Sequence, residues 1–398
     1  MSHRAEKPVS NRASLVFLSI TLLTFLAASS APTPLYHLYQ ETLRFSAATL
    51  TLIFGVYALS LLAALLTVGS LSDHLGRRPV IFTALLLDIG AMLLFITADS
   101  VVLLIAARAL QGFATGMATS VLGASLLDND NRKGPLINSI APLLGMACGG
   151  LGSGLLVEFA PHPMQLVYWI LFGLLVVQAA TVWRLPETVS AQPGALASLR
   201  PTLHVPPQAR KALWIALPVD VAVWAMGGFY LSLAPSLVRA ATGSTSNLIG
   251  GVLVAILTLS GALTIFTLRD RPAQKILRLG AVLLAIGVSL ILLAVHSASL
   301  PLFLFATLVA GGGFGSGFLG ALRSVVPLAL PHERAGLMSA FYALSYLAFC
   351  LPALLAGNLS HSLGLIATTD GYGVMLIGLS LGALLMLLWR RPARDLVA

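Results

Sequence analysis

The chain has 398 residues, 58% of them hydrophobic and 9% charged, with a formal net charge of +9 and a mean hydropathy of +0.93. Soluble domains carry about 25% charged residues, so this is an integral membrane protein, and its basic residues lie between apolar runs rather than on a face that could meet nucleic acid. Cys148 and Cys350 both fall in apolar runs and the eight histidines are scattered, which leaves no disulfide framework and no metal-ligand spacing.

A polar start with Arg4, Lys7 and Arg12 precedes an apolar run from Ala13 to Tyr36, near the ~20 residues a bilayer span needs. A charged start before the small residues of AASSAPTP also suits a secretory signal, but eleven further spans follow and the run is taken as the first helix. The others are predicted at 47–70, 80–98, 101–123, 135–157 and 165–183, then at 212–237, 247–268, 277–295, 300–322, 336–357 and 371–389. Between the two sets, Pro186, Pro193, Pro201, Pro206 and Pro207 prevent a continuous helix. The expected organisation is a first six-helix bundle over 1–183, a cytoplasmic linker over 184–211 and a second bundle over 212–398.

Positive residues near membrane ends stay in the cytoplasm. With the N-terminus inside, all of the 23 Lys and Arg residues fall in cytoplasmic segments except Arg44 and Arg239, outside, and Arg108 and Arg323, in or at the edge of spans. Both termini are therefore expected to be cytoplasmic, with Arg390, Arg391 and Arg394 contributing at the C-terminal end.

The halves read as repeats at an offset of about two hundred residues. SSAP at 29–32 matches SLAP at 232–235, QGFATG at 111–116 matches GGFGSG at 312–317, and Cys148 and Cys350 hold similar places. Two bundles related by an axis along the membrane normal, with a site between them near the midplane, are expected.

The segment GSLSDHLGRRP, from Gly69 to Pro79, reads as a short cytoplasmic loop. Gly69 lets its helix lie close to a neighbour, and Asp73 can set a carboxylate against a helix N-terminus, where free amide hydrogens favour negative charge. Gly76 allows the reversal of direction, and Arg77 and Arg78 can meet carboxylates, helix C-termini or lipid phosphates. This loop resembles the signature between helices two and three of the major facilitator superfamily, carried here by Gly69, Leu71, Asp73, Gly76, Arg77 and Arg78. The resemblance extends over nearly the whole chain. It implies the all-α fold of that family, twelve transmembrane helices as two six-helix bundles, and the transport of a small solute by rocking one bundle against the other.

Within the family the chain is most similar to the drug:proton antiporters. Arg108 with Gln111 and Gly112 resembles the R-x-x-x-G signature of their fourth helix, and the resemblance assigns such an arginine to proton coupling. Gly145, Gly149, Gly152 and Gly154 resemble the glycine-rich signature of their fifth helix, with Gly150 where that signature has proline. Small residues there still permit close packing. The second-half counterpart of the loop, FTLRDRPAQK at 266–275, keeps Asp270 and Lys275 but has Phe266 and Ala273 in place of glycines, and is expected to gate less sharply.

Charges inside spans are costly, about 2.5 to 3.5 kcal/mol each at a helix centre. Asp88 and Arg108 stand at similar depths on adjacent helices, so a charge pair is expected, with Asp88 either neutralising Arg108 or carrying a proton. Asp220 lies ~12 Å inside the seventh predicted span, which resembles a cavity-lining helix of the family. It is either a proton carrier coupling proton flow to solute or a carboxylate held at the wet inner mouth. Aromatic residues at helical spacing offer walls for an apolar or amphipathic solute. The expected lining is Trp224, Tyr230, Gln111, Tyr57, Tyr342 and Tyr346, with Phe54, Phe229 and Phe349 nearby; as alternatives, stripes of this kind serve packing and Tyr230 anchors the outer boundary. Arg323 is expected to snorkel to the inner surface, and Glu158, His162 and His361 to be solvated near the outer side. Pro142, Pro218 and Pro352 are helix breakers tolerated where neighbours satisfy the freed backbone groups.

No Ser-His-Asp, Cys-His or metal-ligand set points to an enzyme. The expected function is proton-coupled efflux of drug-like or metabolite compounds by a monomer in a bacterial inner membrane, with the proton gradient as driving force and no cofactor. Nutrient import by a symporter or facilitator is the alternative.

Overall fold

The computed structural model describes residues 12–330 and 332–389. The expectations for Arg4, Lys7, Arg390, Arg391 and Arg394 lie outside the described residues. With no water in the bilayer core, an apolar segment satisfies its backbone internally by forming a helix, and the described chain consists of helices and their connections. In the first half these are α1 (Arg12–Ser30), α2 (Tyr36–Leu43), α3 (Ala47–Val68), α4 (Leu71–Leu75), α5 (Arg77–Ile96), α6 (Val101–Asn129), α7 (Gly134–Phe159) and α8 (Leu166–Thr181). In the second they are α9 (Pro207–Ser232), α10 (Ala234–Thr242), α11 (Leu248–Leu268), α12 (Ala273–His296), α13 (Leu300–Val325), α14 (Arg334–Leu363) and α15 (Leu365–Trp389). Twelve of these units are long and apolar enough to cross a membrane, counting α1 and α2 as one span. α9 begins at Pro207, ahead of the expected 212, so its first turn falls within the segment predicted as linker.

The repeat is visible in how each half starts and in how its helices touch. Ahead of Pro32 and Pro34, α1 stops, and α2 resumes after a 3₁₀ turn at Thr33–Leu35; α9 likewise stops at Ser232 and α10 carries Pro235 in its first turn. The Ser100 hydroxyl caps α6 by accepting from Leu103 N–H, as Ser299 does for α13 from Leu302 N–H. Close approaches fix the register. A methyl group on Gly112 or Gly116 of α6 would sit on the carbonyls of Tyr57 or Leu61 of α3, and one on Gly311 or Gly315 of α13 would sit on those of Leu257 or Gly261 of α11. The packing equivalents of Gly112 and Gly116 are thus Gly311 and Gly315, two residues earlier than the string match of QGFATG with GGFGSG suggests. The two cysteines also differ, since Cys148 is exposed and Cys350 is buried.

The halves meet along two seams, α7 against α11 and α3 against α14. Their direct hydrogen bonds lie in the part of the molecule away from the termini. Thr33 Oγ1 donates to Leu231 O at 3.1 Å, and Cys350 Sγ approaches Gly55 O at 3.6 Å. Glu158, exposed as expected, also accepts from the backbone N–H of Asn247 at 2.8 Å and from the Ser246 hydroxyl at 3.4 Å, setting a carboxylate from one half against the N-terminus of α11 in the other.

Candidate functional site

At the end that carries the termini, Gly76 adopts φ +94° between α4 and α5, a left-handed conformation that a side chain would strain. The turn aims Arg77 back into the first half. Its guanidinium bonds Asp73 Oδ1 at 2.6 Å, Ser72 Oγ at 2.7 Å and Asp128 Oδ2, on α6, at 2.9 Å. Asp73 lies in the first turn of α4, as expected of a carboxylate at a helix N-terminus, and also serves Arg77. The N-terminus of α5 is held by Glu187 from the linker, whose oxygens accept from the N–H groups of Arg77 at 2.7 Å and Arg78 at 3.0 Å. Burial pushes the Glu187 carboxyl up, but backbone N–H donors from Arg77, Arg78, Val189 and Thr188 outweigh it and hold the group below its ordinary value.

The linker is bound to this loop along its length. Gln192 N–H donates to His74 O at 2.8 Å and Ser70 Oγ to Ser198 O at 3.2 Å, while His204 N–H donates to Gly336 O at 3.2 Å in the second half. The counterpart loop is held differently: Arg323, exposed at this surface as expected, donates to the carbonyls of Arg269 and Arg271, and among the described residues Asp270 pairs only with the adjacent Arg269, at 3.5 Å.

Arg108 is 1% exposed. Its Nη1 donates to Ser29 O on α1 at 2.9 Å and to Gln111 Oε1 at 2.7 Å, and its guanidinium stands 4.2 Å from the centre of the Tyr57 ring on α3, close enough for a cation–π contact. Gln111 gives its amide to Ala28 O at 3.0 Å, so both ends of this side chain are taken up within the first half and it does not act as a free lining group. The expected Asp88–Arg108 pair is not formed. Both Asp88 oxygens are buried without a partner among the described residues, because Asp88 belongs to the stripe of α5 that runs through Ala84, Leu85, Ala91 and Met92, whereas the guanidinium turns toward α1 and α3.

The second half supplies a carboxylate and an aromatic cluster. Counted from Pro207, Asp220 is ~20 Å along α9, near its centre and not at a mouth, and it is 1% exposed. Its Oδ2 accepts from Ser345 Oγ on α14 at 2.8 Å, while Oδ1 is buried without a partner. One turn further on the same helix face, the buried Trp224 indole N–H acts on the Asp220 carboxyl without forming a regular hydrogen bond to any described residue. The Trp224 ring lies 4.7 Å from Tyr346, 5.8 Å from Phe349 and 6.0 Å from Phe318, and Tyr342 follows at 6.4 Å from Tyr346. Phe54 joins across the seam, 4.8 Å from Phe349. Tyr230 stands apart from this group: it is 2% exposed and its hydroxyl pairs with Thr307 on α13 at 2.8 Å, a packing contact within the second half rather than a boundary anchor.

The structure thus brings together Asp220, Trp224, Tyr342 and Tyr346, places Tyr57 with Arg108, and leaves Asp88 and Tyr230 within the packing of their own halves. Sequence reasoning passed over Ser345, Phe318, Asp128 and Glu187. A signal existed for Ser345, a hydroxyl between two tyrosines in YALSY; none existed for Glu187, whose partner is a backbone terminus.

Twelve spans in two six-helix halves, with ionisable groups buried near the seam between them, define a membrane transporter. The sequence profile of the Major Facilitator Superfamily matches residues 17–345, and the chain belongs to that family. Multidrug resistance protein MdtL of Escherichia coli O139:H28 (strain E24377A / ETEC) and its counterpart in Shigella flexneri serotype 5b (strain 8401) are each 31% identical over 156 residues. That match covers 38% of this chain and 39% of the length of those relatives. Among solved structures, the nucleoside transporter NupG is similar with a TM-score of 0.73 at 14% identity, and the human organic anion transporter MFSD10 (TETRAN) with 0.67 at 19% identity. Each comparison covers 94% of this chain and 99% of the other, and shows the shared fold.

Proposed function

We propose that the chain is a proton-coupled exporter of drug-like or metabolite solutes, apolar or amphipathic, working as a monomer in a bacterial inner membrane with the proton gradient as its driving force. The observation that carries this reading is Asp220, a carboxylate at the centre of α9 with one oxygen unpartnered, beside a half-buried aromatic cluster at the seam. A carboxylate desolvated in one conformation and wetted in the other loads and releases a proton in step with the rocking of the halves. Arg108 and Asp88 complete the coupling machinery in the first half.

Sidedness follows the charges. Arg77, Arg78, Arg132, Lys133, Arg210 and Lys211 gather at the end that carries the termini, which makes that end cytoplasmic. The ties between Thr33 and Leu231 and between Glu158 and Asn247 then close the outer side. The partial likeness to multidrug resistance proteins of enteric bacteria supports efflux and the inner membrane.

The test is proton movement in proteoliposomes that enclose a pH-sensitive dye, under an imposed pH gradient, with a panel of lipophilic cations, antibiotics and sugars. A dye response to amphipathic compounds that is lost in Asp220→Asn supports antiport. Solute movement without a proton signal would make the protein a facilitator.

A further inference from the structure

Ser345 of α14 is fully buried, and its single hydroxyl proton faces two acceptors at nearly equal distance. Asp220 Oδ2 on α9 is 2.8 Å away and Phe341 O, one turn back on α14, is 2.9 Å away. A serine hydroxyl donates once and accepts up to twice, so it cannot serve both acceptors together. Which one it serves depends on what the carboxyl group offers in return.

From this geometry we infer that Ser345 is a positioning residue for the proton-coupled step: a hydroxyl whose hydrogen bond reverses when Asp220 changes protonation state, passing that change from α9 to α14. The inference rests on the reading of Asp220 as the proton carrier. With Asp220 ionised, Ser345 donates to Oδ2 in a charge-assisted bond, roughly twice as strong as a neutral one. With a proton on Oδ2, the acid O–H donates to Ser345 Oγ and the serine hydroxyl rotates to Phe341 O. Neither Ser345 Oγ nor Asp220 Oδ2 is orphaned in either state. What changes is the strength of the tie between the two helices.

The position of α14 gives that change a readout. This helix holds α9 on one side and forms the seam with α3 on the other, through the Phe54–Phe349 contact and the approach of Cys350 to Gly55. A looser grip on α9 frees the helix that joins the halves. Competing titratable groups near Asp220 are few. Tyr342 and Tyr346 face the region from α14, Tyr372 of α15 gives its hydroxyl to Ala225 O at 2.7 Å, and Tyr230 is engaged with Thr307. Among the described residues Asp220 forms no ion pair with a cation.

The experiment follows the carboxylic-acid carbonyl band by infrared difference spectroscopy while the full-length protein in lipid vesicles is titrated, without any transported solute. Asp220→Asn assigns the band by removing it. In Ser345→Ala the ionised form loses one donor and keeps Trp224 beside it, and the midpoint is expected to move about one pH unit alkaline, a tenfold change in proton affinity. Ser345→Thr, which keeps a hydroxyl at the position, is expected to restore it, a rescue that a merely space-filling role would not need. A band that titrates and is lost in Asp220→Asn, but keeps its midpoint in Ser345→Ala, overturns the inference and leaves Asp220 as proton carrier. If Asp220→Asn removes no titrating band, the reading of Asp220 fails and the inference fails with it.

Discussion

Arg108 and Tyr57 form the polar centre of the first half, the guanidinium lying 4.2 Å from the ring centre on a different helix. Three helices meet there: α6 carries the arginine, α3 the tyrosine, and α1 the accepting carbonyl of Ser29. Arg108→Ala leaves Ser29 O and Gln111 Oε1 without their donor, at a cost of about 1–3 kcal/mol for each buried acceptor. Arg108→Lys keeps the charge but loses the planar fork that stacks on Tyr57 while bonding two oxygens. Both variants are expected to insert and to lose proton-gradient-driven transport, with Lys retaining little more than Ala. Strong gradient-driven transport by Arg108→Ala would remove this residue from the coupling machinery.

Asp220→Asn is nearly isosteric, and its amide oxygen can still accept from Ser345, so the α9–α14 contact survives while the proton site disappears. Transport measured across a range of pH with a fixed solute gradient is expected to become independent of pH. Asp88→Asn removes a buried carboxylate that has no hydrogen-bond partner among the described residues, and a smaller flattening of the same profile is expected. An unchanged profile in Asp220→Asn together with a flat one in Asp88→Asn would exchange the two roles.

The spans, the two halves and the turn at Gly76 were legible because each follows from local chemistry: apolar run length, and a glycine where φ must be positive. Partnerships across helices were not. Asp88 and Arg108 share a depth, and depth can be counted along a sequence, but the direction in which a side chain turns around its helix is set by packing with α1 and α3. Gln111 and Tyr230 have the polarity expected of lining groups, yet each finds its partner within its own half, Gln111 at Ala28 O and Tyr230 at Thr307. The repeat was legible in outline, but glycine-rich strings align equally well in several registers, and only the carbonyls that each glycine approaches separate them.

Glu187 links stability to pH at the membrane surface. Its carboxyl is held below its ordinary value in the folded protein, so the stabilisation is fully present above the pKa of the unfolded chain, about 4.3, and is lost as pH falls through the lower folded value. Thermal unfolding in detergent is expected to show a loss of stability below about pH 4.3 that is smaller in Glu187→Gln, since an amide does not take up a proton in this range and so contributes no pH linkage. At neutral pH the variant is expected to be modestly less stable, because the N–H groups of Arg77 and Arg78 then share one acceptor. Parallel melting curves at every pH would show that the cap contributes nothing.

Cys350 can report the rocking motion. It is fully buried with its sulfur against Gly55 on the α3–α14 seam, whereas Cys148 is exposed. In a Cys148→Ala background, Cys350 is expected to react slowly with a membrane-permeant maleimide while the outer side is closed. The other seam provides the perturbation. A side chain on Gly251 of α11 would sit on the Gly150 carbonyl of α7, so Gly251→Val opposes closure by overpacking, a penalty of about 1–3 kcal/mol. If the halves move as rigid bodies, opening one seam opens the other, and labelling of Cys350 is expected to rise roughly tenfold, since about 1.4 kcal/mol corresponds to a factor of ten in population. A labelling rate unchanged by Gly251→Val would mean that the seams open independently and that the halves do not rock as units.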